Sequence, residues 1–436
     1  NSIYLKLLIL ILIIYNDFFI VKRKNSNNNI NIYKNITSPN LNYTFIMNKT
    51  SIIKIAYYCH ANKFGGIARV ISLLINYLSK EKYFEHYLIN DVGNMIGEYP
   101  LPNNTKRIIL FEQNKTLFDI IESEKIDILI YNFFDKEQIE KLNQLNSPKT
   151  IFYDHSSFLV WIYDNIHDFN KTIYNTYKKC KFVLSLIPLE SHYLFKKWGI
   201  NSILIENLVT YEYDTIEPST LMSKNIIMIG RAYATIKRYD LGIKAMKFIV
   251  KEIPDCKMNI ISSTHKKLVN LIKNLGLENN IQFTGYLNEP IQFLKNSSLH
   301  LLCSLCETYP MVLSETKVFG IPSIICGLDY LTLAKGGSII IYDDNPLTIA
   351  EESIKILKNY TYRRQLGKEA RDSMKKHKNE LIIKKWIEIL FTVYTNNYDN
   401  YQKLSLDNTE EKLTEKEANI ILSNQLKLLK KRIKLY

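Results

Sequence analysis

The chain of 436 residues contains no Asp-x-Asp triplet, so a common carboxylate pattern for holding a divalent cation on a phosphate is missing and no metal is expected. Its six cysteines (Cys59, Cys180, Cys256, Cys303, Cys306 and Cys326) include one C-x-x-C at 303–306 but no second pair to complete a zinc site. Reduced, mostly buried thiols in a cytosolic protein are the simplest expectation. No small-residue cleavage site follows the apolar start, which argues against a secretory signal. The net charge is +14, yet no recognisable nucleic-acid motif accompanies it, and nucleic acid is not an expected partner. Asn-x-Ser/Thr triplets, among them those at Asn170 and Asn296, are what so Asn-rich a chain produces by chance.

What the chain does have is apolar content of 46% over a length ample for two domains of about 100–200 residues each. Short apolar runs alternate with helical stretches, the pattern of parallel α/β sheets. Six strand candidates lie in the first half: Ile52 to Tyr58, Tyr87 to Asn90, Arg107 to Phe111, Asp127 to Tyr131, Thr150 to Tyr153 and Phe182 to Leu186. Six more follow: Ile226 to Ile229, Met258 to Ile261, Ile281 to Phe283, Leu299 to Cys303, Ser323 to Cys326 and Ile339 to Tyr342. The polar stretch from Val209 to Ser223, which holds Pro218 and has no helical period, reads as the linker between two sheets.

The segment E-T-Y-P-M-V-L-S-E from Glu307 to Glu315 is the most informative. An apolar run of strand length precedes it, and Pro310 fits only the first turn of a following helix, so Glu307 belongs to a strand-to-helix loop. A helical pattern runs from Met311 to the stop at Gly320. The first turn of such a helix offers unpaired N–H groups and a positive dipole end to an anion. Glu315 lies about 7–8 Å further along the axis, with its side chain leaning back toward the same opening. A carboxylate there suits vicinal hydroxyls.

Two further anchors sit at strand ends. Gly230 and Arg231 end the Ile226 to Ile229 run and Lys237 follows six residues later, two cations able to neutralise a diphosphate. After Ile52 to Tyr58, Gly65 and Gly66 open a helical run, and paired glycines let backbone approach a ligand closely.

In their order and spacing these elements resemble the retaining glycosyltransferases of family four, from about Ile52 to about Tyr394. The resemblance implies the GT-B fold, two facing Rossmann-like domains with parallel sheets and an interdomain cleft. It implies that Glu307 and Glu315 form an E-x7-E pair holding the donor-sugar hydroxyls and the ribose, and that Arg231 and Lys237 grip the diphosphate. Gly65 and Gly66 then face the diphosphate from the other domain, His155 lies near the donor sugar, and Asn207 closes the first domain. Tyr309, Pro310, Met311 and Val312, with Gly285 and Tyr286, complete the implied donor site. Glu307, His155, Lys237 and Arg231 form the implied catalytic set. The resemblance implies a nucleotide sugar, a UDP- or GDP-linked hexose, as donor substrate, no cofactor, and a glycan, lipid or protein hydroxyl as acceptor. The chain departs from the family pattern at Thr308, Tyr309 and Pro310, where Gly-Phe-Gly is frequent, and at Ser262 to His265, where many members carry Gly-x-Gly.

These readings divide the chain into a non-core extension (1–46), an acceptor-side domain (47–215), a nucleotide-sugar domain (216–380), a crossover helix around Trp386 (381–405) and a basic amphipathic tail (406–436). Residues 1–46 hold five cations and one anion, and Ile3 to Val21 is apolar enough to be weighed as a single-pass anchor. Lys6, Asn16 and Asp17 weaken that reading, and Met47, the first methionine, is the expected natural start. The expected location is cytoplasmic, with the tail as a peripheral membrane contact through Lys427, Lys430, Lys431, Arg432 and Lys434. The competing functions are a noncatalytic GT-B nucleotide-sugar binder and a basic adaptor for membranes or polyanions.

Overall fold

The computed structural model describes residues 52–433 apart from 64, 94–96, 133–135, 146–147, 164–166, 232–234 and 407–412. Met47, the apolar start, Lys434 and Leu435 lie outside the described residues. No described helix is long and apolar enough to cross a membrane.

Among the described residues thirteen strands make two sheets, and every strand pairs in parallel. The first holds β1 (Ile53–Tyr58), β2 (Phe84–Asn90), β3 (Lys106–Ile109), β4 (Ile128–Tyr131), β5 (Lys149–Tyr153), β6 (Phe182–Ser185) and β7 (Ile203–Leu204) in the order β3-β2-β1-β4-β5-β6-β7. The second holds β8 (Asn225–Ile229), β9 (Lys257–Ile261), β10 (Ile281–Phe283), β11 (Leu299–Leu302), β12 (Ser323–Cys326) and β13 (Ser338–Ile341) in the order β10-β9-β8-β11-β12-β13. Both are doubly wound sheets, with the order reversing between β1 and β4 in one and between β8 and β11 in the other. These are the two Rossmann-like domains of a GT-B fold.

The apolar runs are strands because both sheet faces are covered: β4, β6, β11 and β12 are buried at every residue. Several details differ from the sequence expectation: Leu110 and Phe111, expected to end the third strand, instead open the short helix Leu110–Gln113, where Phe111 is exposed. The first sheet has seven strands rather than six, because Ile203 and Leu204 pair with Leu184 and Ser185 although two residues make no apolar run of their own. β2 begins at Phe84, three residues earlier than the apolar pattern indicates. His86 interrupts that pattern but is buried beside the Tyr57 hydroxyl at 3.1 Å, and burial pushes its imidazole down to about 4, so it packs as a neutral ring.

After the second sheet the chain returns to the first. The Asn379–Tyr394 helix sets Trp386 5.3 Å from the Tyr153 ring, and Lys149 Nζ donates to the Tyr394 carbonyl at 2.6 Å. At its start the Asn379 side chain clamps both the N–H and the carbonyl of Val209, at 2.8 and 3.0 Å. The Tyr398–Leu406 helix follows, and its Tyr401 hydroxyl accepts from the Val183 N–H at 2.9 Å.

The tail helix, Glu415–Ile433, packs one side on the protein and leaves its lysines outward. Its Gln425, Leu429 and Arg432 are buried against the protein. Arg432 grips Asp344 through Nε at 2.5 Å and a terminal nitrogen at 2.7 Å, and Arg238 shares the same carboxylate at 2.9 Å. Lys427, Lys430 and Lys431 remain exposed. The alternation of lysine and leucine that suggests membrane binding also serves a helix docked on its own protein, and the sequence pattern does not separate the two.

Candidate functional site

A cleft of about 490 Å³ opens where the carboxyl ends of the two sheets meet. Gly65 and Gly66 after β1, Asn132 after β4, His155 after β5 and Leu186 after β6 form one wall. Arg231 after β8, Ile261 at the end of β9, Tyr286 after β10 and Glu307 after β11 stand opposite. Open α/β sheets bind ligands at this end, beside the order reversal.

Of the residues expected from the sequence, Gly65, Gly66, His155, Asn207, Arg231, Lys237, Tyr286, Glu307, Tyr309, Pro310, Met311, Val312 and Glu315 all line this one cleft. Gly285 does not; with φ of 81° it makes the left-handed turn that precedes Tyr286. Gly65 has φ of 143°, a conformation for which a side chain is unsuited, and its carbonyl accepts from the Arg69 N–H at 3.2 Å as the helix begins. Gly230, also at 143°, would place a Cβ 3.1 Å from the Tyr239 hydroxyl.

The acidic loop is held from several sides. Glu307 Oε1 accepts from Lys237 Nζ at 2.5 Å and from Ser304 Oγ at 2.6 Å. The backbone brings this pair together, because the Leu305 N–H donates to the Ile236 carbonyl at 2.8 Å and so ties the loop to the 3-10 turn Thr235–Lys237. The Tyr330 hydroxyl accepts from the Glu307 N–H at 3.1 Å and donates to its carbonyl at 2.6 Å. Thr308 reaches across the cleft, its hydroxyl donating to the Ser156 carbonyl at 2.7 Å.

Pro310 then starts the Met311–Val318 helix, which has neither a side-chain cap nor an acidic residue in its first turn. Its leading N–H groups and dipole are therefore available to an anion. Further along, Glu315 is buried to 5% exposure. Its Oε1 accepts from Thr210 Oγ1 at 2.7 Å and lies 3.4 Å from Arg69 Nε.

Burial pushes the His155 imidazole down to about 3, so the ring is neutral at ordinary pH. It stands 4.2 Å from the Tyr153 ring, and its buried Nε2 has no hydrogen-bond partner among the described residues. The Tyr153 hydroxyl donates to Asn207 Oδ1 at 2.6 Å. Behind His155, Asp154 accepts from the Ser156 N–H at 2.7 Å and from the Tyr177 hydroxyl at 3.2 Å, and that hydroxyl also stands 3.4 Å from Glu190. Burial raises both carboxyls of this group. No group of three or more His, Cys, Asp or Glu side chains able to hold a metal occurs among the described residues.

Sequence reasoning misses Arg69, Asp154 and Tyr330. Arg69 is the one charged residue in the helical run after the paired glycines, a signal present in the sequence. Asp154 directly follows β5 beside His155, and Tyr330 is tied to the site by its hydroxyl on the Glu307 backbone, 23 residues away.

Residues 212–373 match the family model described as glycosyl transferases group 1. A protein of Haemophilus influenzae described as an uncharacterized glycosyltransferase is 24% identical over 360 residues, which cover 75% of this chain and 96% of that protein. The N-acetyl-alpha-D-glucosaminyl L-malate synthase of Bacillus anthracis is 25% identical over 177 residues, 39% of this chain and 46% of the synthase. Among solved structures, sucrose-phosphate synthase from Thermosynechococcus elongatus superposes with a TM-score of 0.65 at 13% identity, covering 79% of this chain and all of the synthase. Anabaena HepE in complex with UDP and glucose gives 0.63 at 12% identity, covering 78% of this chain and 100% of that one. At such identities the superpositions speak for the fold alone.

Proposed function

We propose that this chain, which the family match and the relatives support as a glycosyltransferase of GT-B fold, is a retaining, metal-independent enzyme of family four that moves a hexose from a UDP- or GDP-sugar to a hydroxyl of a glycan, lipid or protein. One observation carries the reading. Two cations (Arg231, Lys237), an uncapped helix start and two carboxylates eight residues apart share a single cleft between two Rossmann-like sheets.

In this reading Arg231, Lys237 and the N–H groups after Pro310 hold the diphosphate and stabilise the charge that builds on it as the sugar leaves, without a metal. Gly65 and Gly66 let the first wall approach the same phosphates. Glu307 holds sugar hydroxyls, the neutral His155 ring lies near the donor sugar, and Glu315 takes the ribose. The acceptor hydroxyl attacks from the face the nucleotide leaves, so the anomeric configuration is retained. The expected location is cytoplasmic, and the exposed lysines of the tail are the surface for any peripheral membrane contact.

The test is turnover with a panel of UDP- and GDP-hexoses. Nucleotide release is expected from one of them, lowered at least about tenfold by Glu307→Ala and by Lys237→Ala, some 1.4 kcal/mol of barrier. Nucleotide binding without release under any donor and acceptor would favour a noncatalytic binder instead.

A further inference from the structure

Arg69 stands in the first wall of the cleft, three residues into the Gly66–Leu78 helix, but its guanidinium works on the second. Nε donates to Thr210 Oγ1 at 3.0 Å and lies 3.4 Å from Glu315 Oε1. A terminal nitrogen donates to the Asn288 carbonyl at 2.9 Å, and the group lies 5.1 Å over the Tyr99 ring. Its side chain is 13% exposed and that of Glu315 5%.

These contacts fix more than charge. A carboxylate buried this deeply needs a cation, and Lys237 is already engaged with Glu307. Thr210 accepts from Arg69 Nε and donates to Oε1 of Glu315, so Arg69 holds that oxygen through Thr210 and by its own charge 3.4 Å away. A carboxylate discriminates for a diol only when it is held so that two hydroxyl hydrogens meet it in line. A lysine could supply the charge beside Glu315, but not the planar fork that donates to Thr210 and the Asn288 carbonyl together.

We propose that Arg69 is a positioning residue for ribose recognition: by tethering Glu315 and the Asn288 carbonyl from the opposite wall, it makes the cleft select ribonucleotides over their 2′-deoxy counterparts. This rests on Glu315 as the ribose-binding group. A plain strut between the walls would weaken every nucleotide alike, whereas a residue that aims Glu315 changes the ratio between sugars.

The experiment is calorimetric titration of UDP, 2′-deoxy-UDP, GDP and 2′-deoxy-GDP into the full chain and its Arg69→Ala, Arg69→Lys, Glu315→Gln and Lys237→Ala variants. The unmodified chain is expected to favour the ribose form of its preferred base by at least about tenfold, the scale set by leaving hydrogen-bonding groups in a buried site unpaired. Arg69→Ala and Glu315→Gln bring that ratio within about threefold of unity, and Arg69→Lys, which keeps the charge and serves if the alanine variant does not fold, loses most of it. Lys237→Ala weakens both forms while keeping the ratio. If the Arg69 variants weaken both forms equally and the ratio survives, the inference fails and the proposed function stands. If the unmodified chain binds no diphosphate, or does not distinguish the two sugars, the reading of Glu315 fails and this inference with it.

Discussion

Lys237 Nζ lies 2.5 Å from Glu307 Oε1, so two groups assigned opposite tasks, one for phosphate and one for sugar, neutralise each other across the acidic loop. Glu307→Gln removes the competing charge while keeping the shape. The expected result is unchanged or tighter binding of a nucleoside diphosphate, because Lys237 is released to it, together with at least about tenfold slower turnover of the sugar donor. Calorimetry with the diphosphate and a nucleotide-release assay measure the two halves separately.

Tyr330 holds the same loop by the backbone, one hydroxyl serving both the N–H and the carbonyl of Glu307. Tyr330→Phe leaves those groups without that partner and is expected to cost about 1–3 kcal/mol of stability. It should also lower kcat more than it raises KM, since the loop loses orientation rather than charge. Urea unfolding and steady-state kinetics check the two effects.

Most of the fold is legible in the sequence, since strands of parallel sheets covered on both faces read as apolar runs, and the apolar run before Glu307, Pro310 and the helical pattern to Gly320 mark the Glu307 to Glu315 segment as loop and helix. What was hidden is tertiary. His86 is polar in sequence and a packed neutral ring in the sheet. Arg432 is one more cation in a basic tail until Asp344, 88 residues away, meets it. The Arg69 to Glu315 contact spans both sheets, and no local pattern encodes it.

The tail offers a stability prediction. Arg432→Met leaves Asp344, which is 9% exposed, with Arg238 as its remaining cation and is expected to destabilise by about 3 kcal/mol, whereas Lys430→Ser with Lys431→Ser changes stability by less than about 0.5 kcal/mol. Deleting residues 406–436 should therefore damage the protein core and not merely remove a membrane contact. Denaturant midpoints of the three variants are the measurement.

Acid behaviour follows from the buried Asp154, Glu190 and Tyr177 group. Burial raises the Asp154 carboxyl from an unfolded value of about 3.9 to about 7, and Glu190 is raised for the same reason. A folded pKa above the unfolded one gives stability that is full below the unfolded value and lost as pH rises through the folded one. Asp154 thus favours folding near pH 4 and loses that contribution toward pH 7, at up to about 1.4 kcal/mol per pH unit. Asp154→Asn removes the slope, so its stability relative to the unmodified chain should improve between pH 5 and pH 8. Urea unfolding at the two pH values reads this.

The central claim is that Arg231, Lys237 and the helix start after Pro310 converge on one pyrophosphate. Calorimetric titration of a nucleoside diphosphate and the matching monophosphate into the unmodified chain and Lys237→Ala tests it most directly. The account predicts that the diphosphate binds at least about tenfold more tightly than the monophosphate, and that Lys237→Ala removes most of that difference. Equal affinity for the two, or a preference that Lys237→Ala leaves intact, would contradict it.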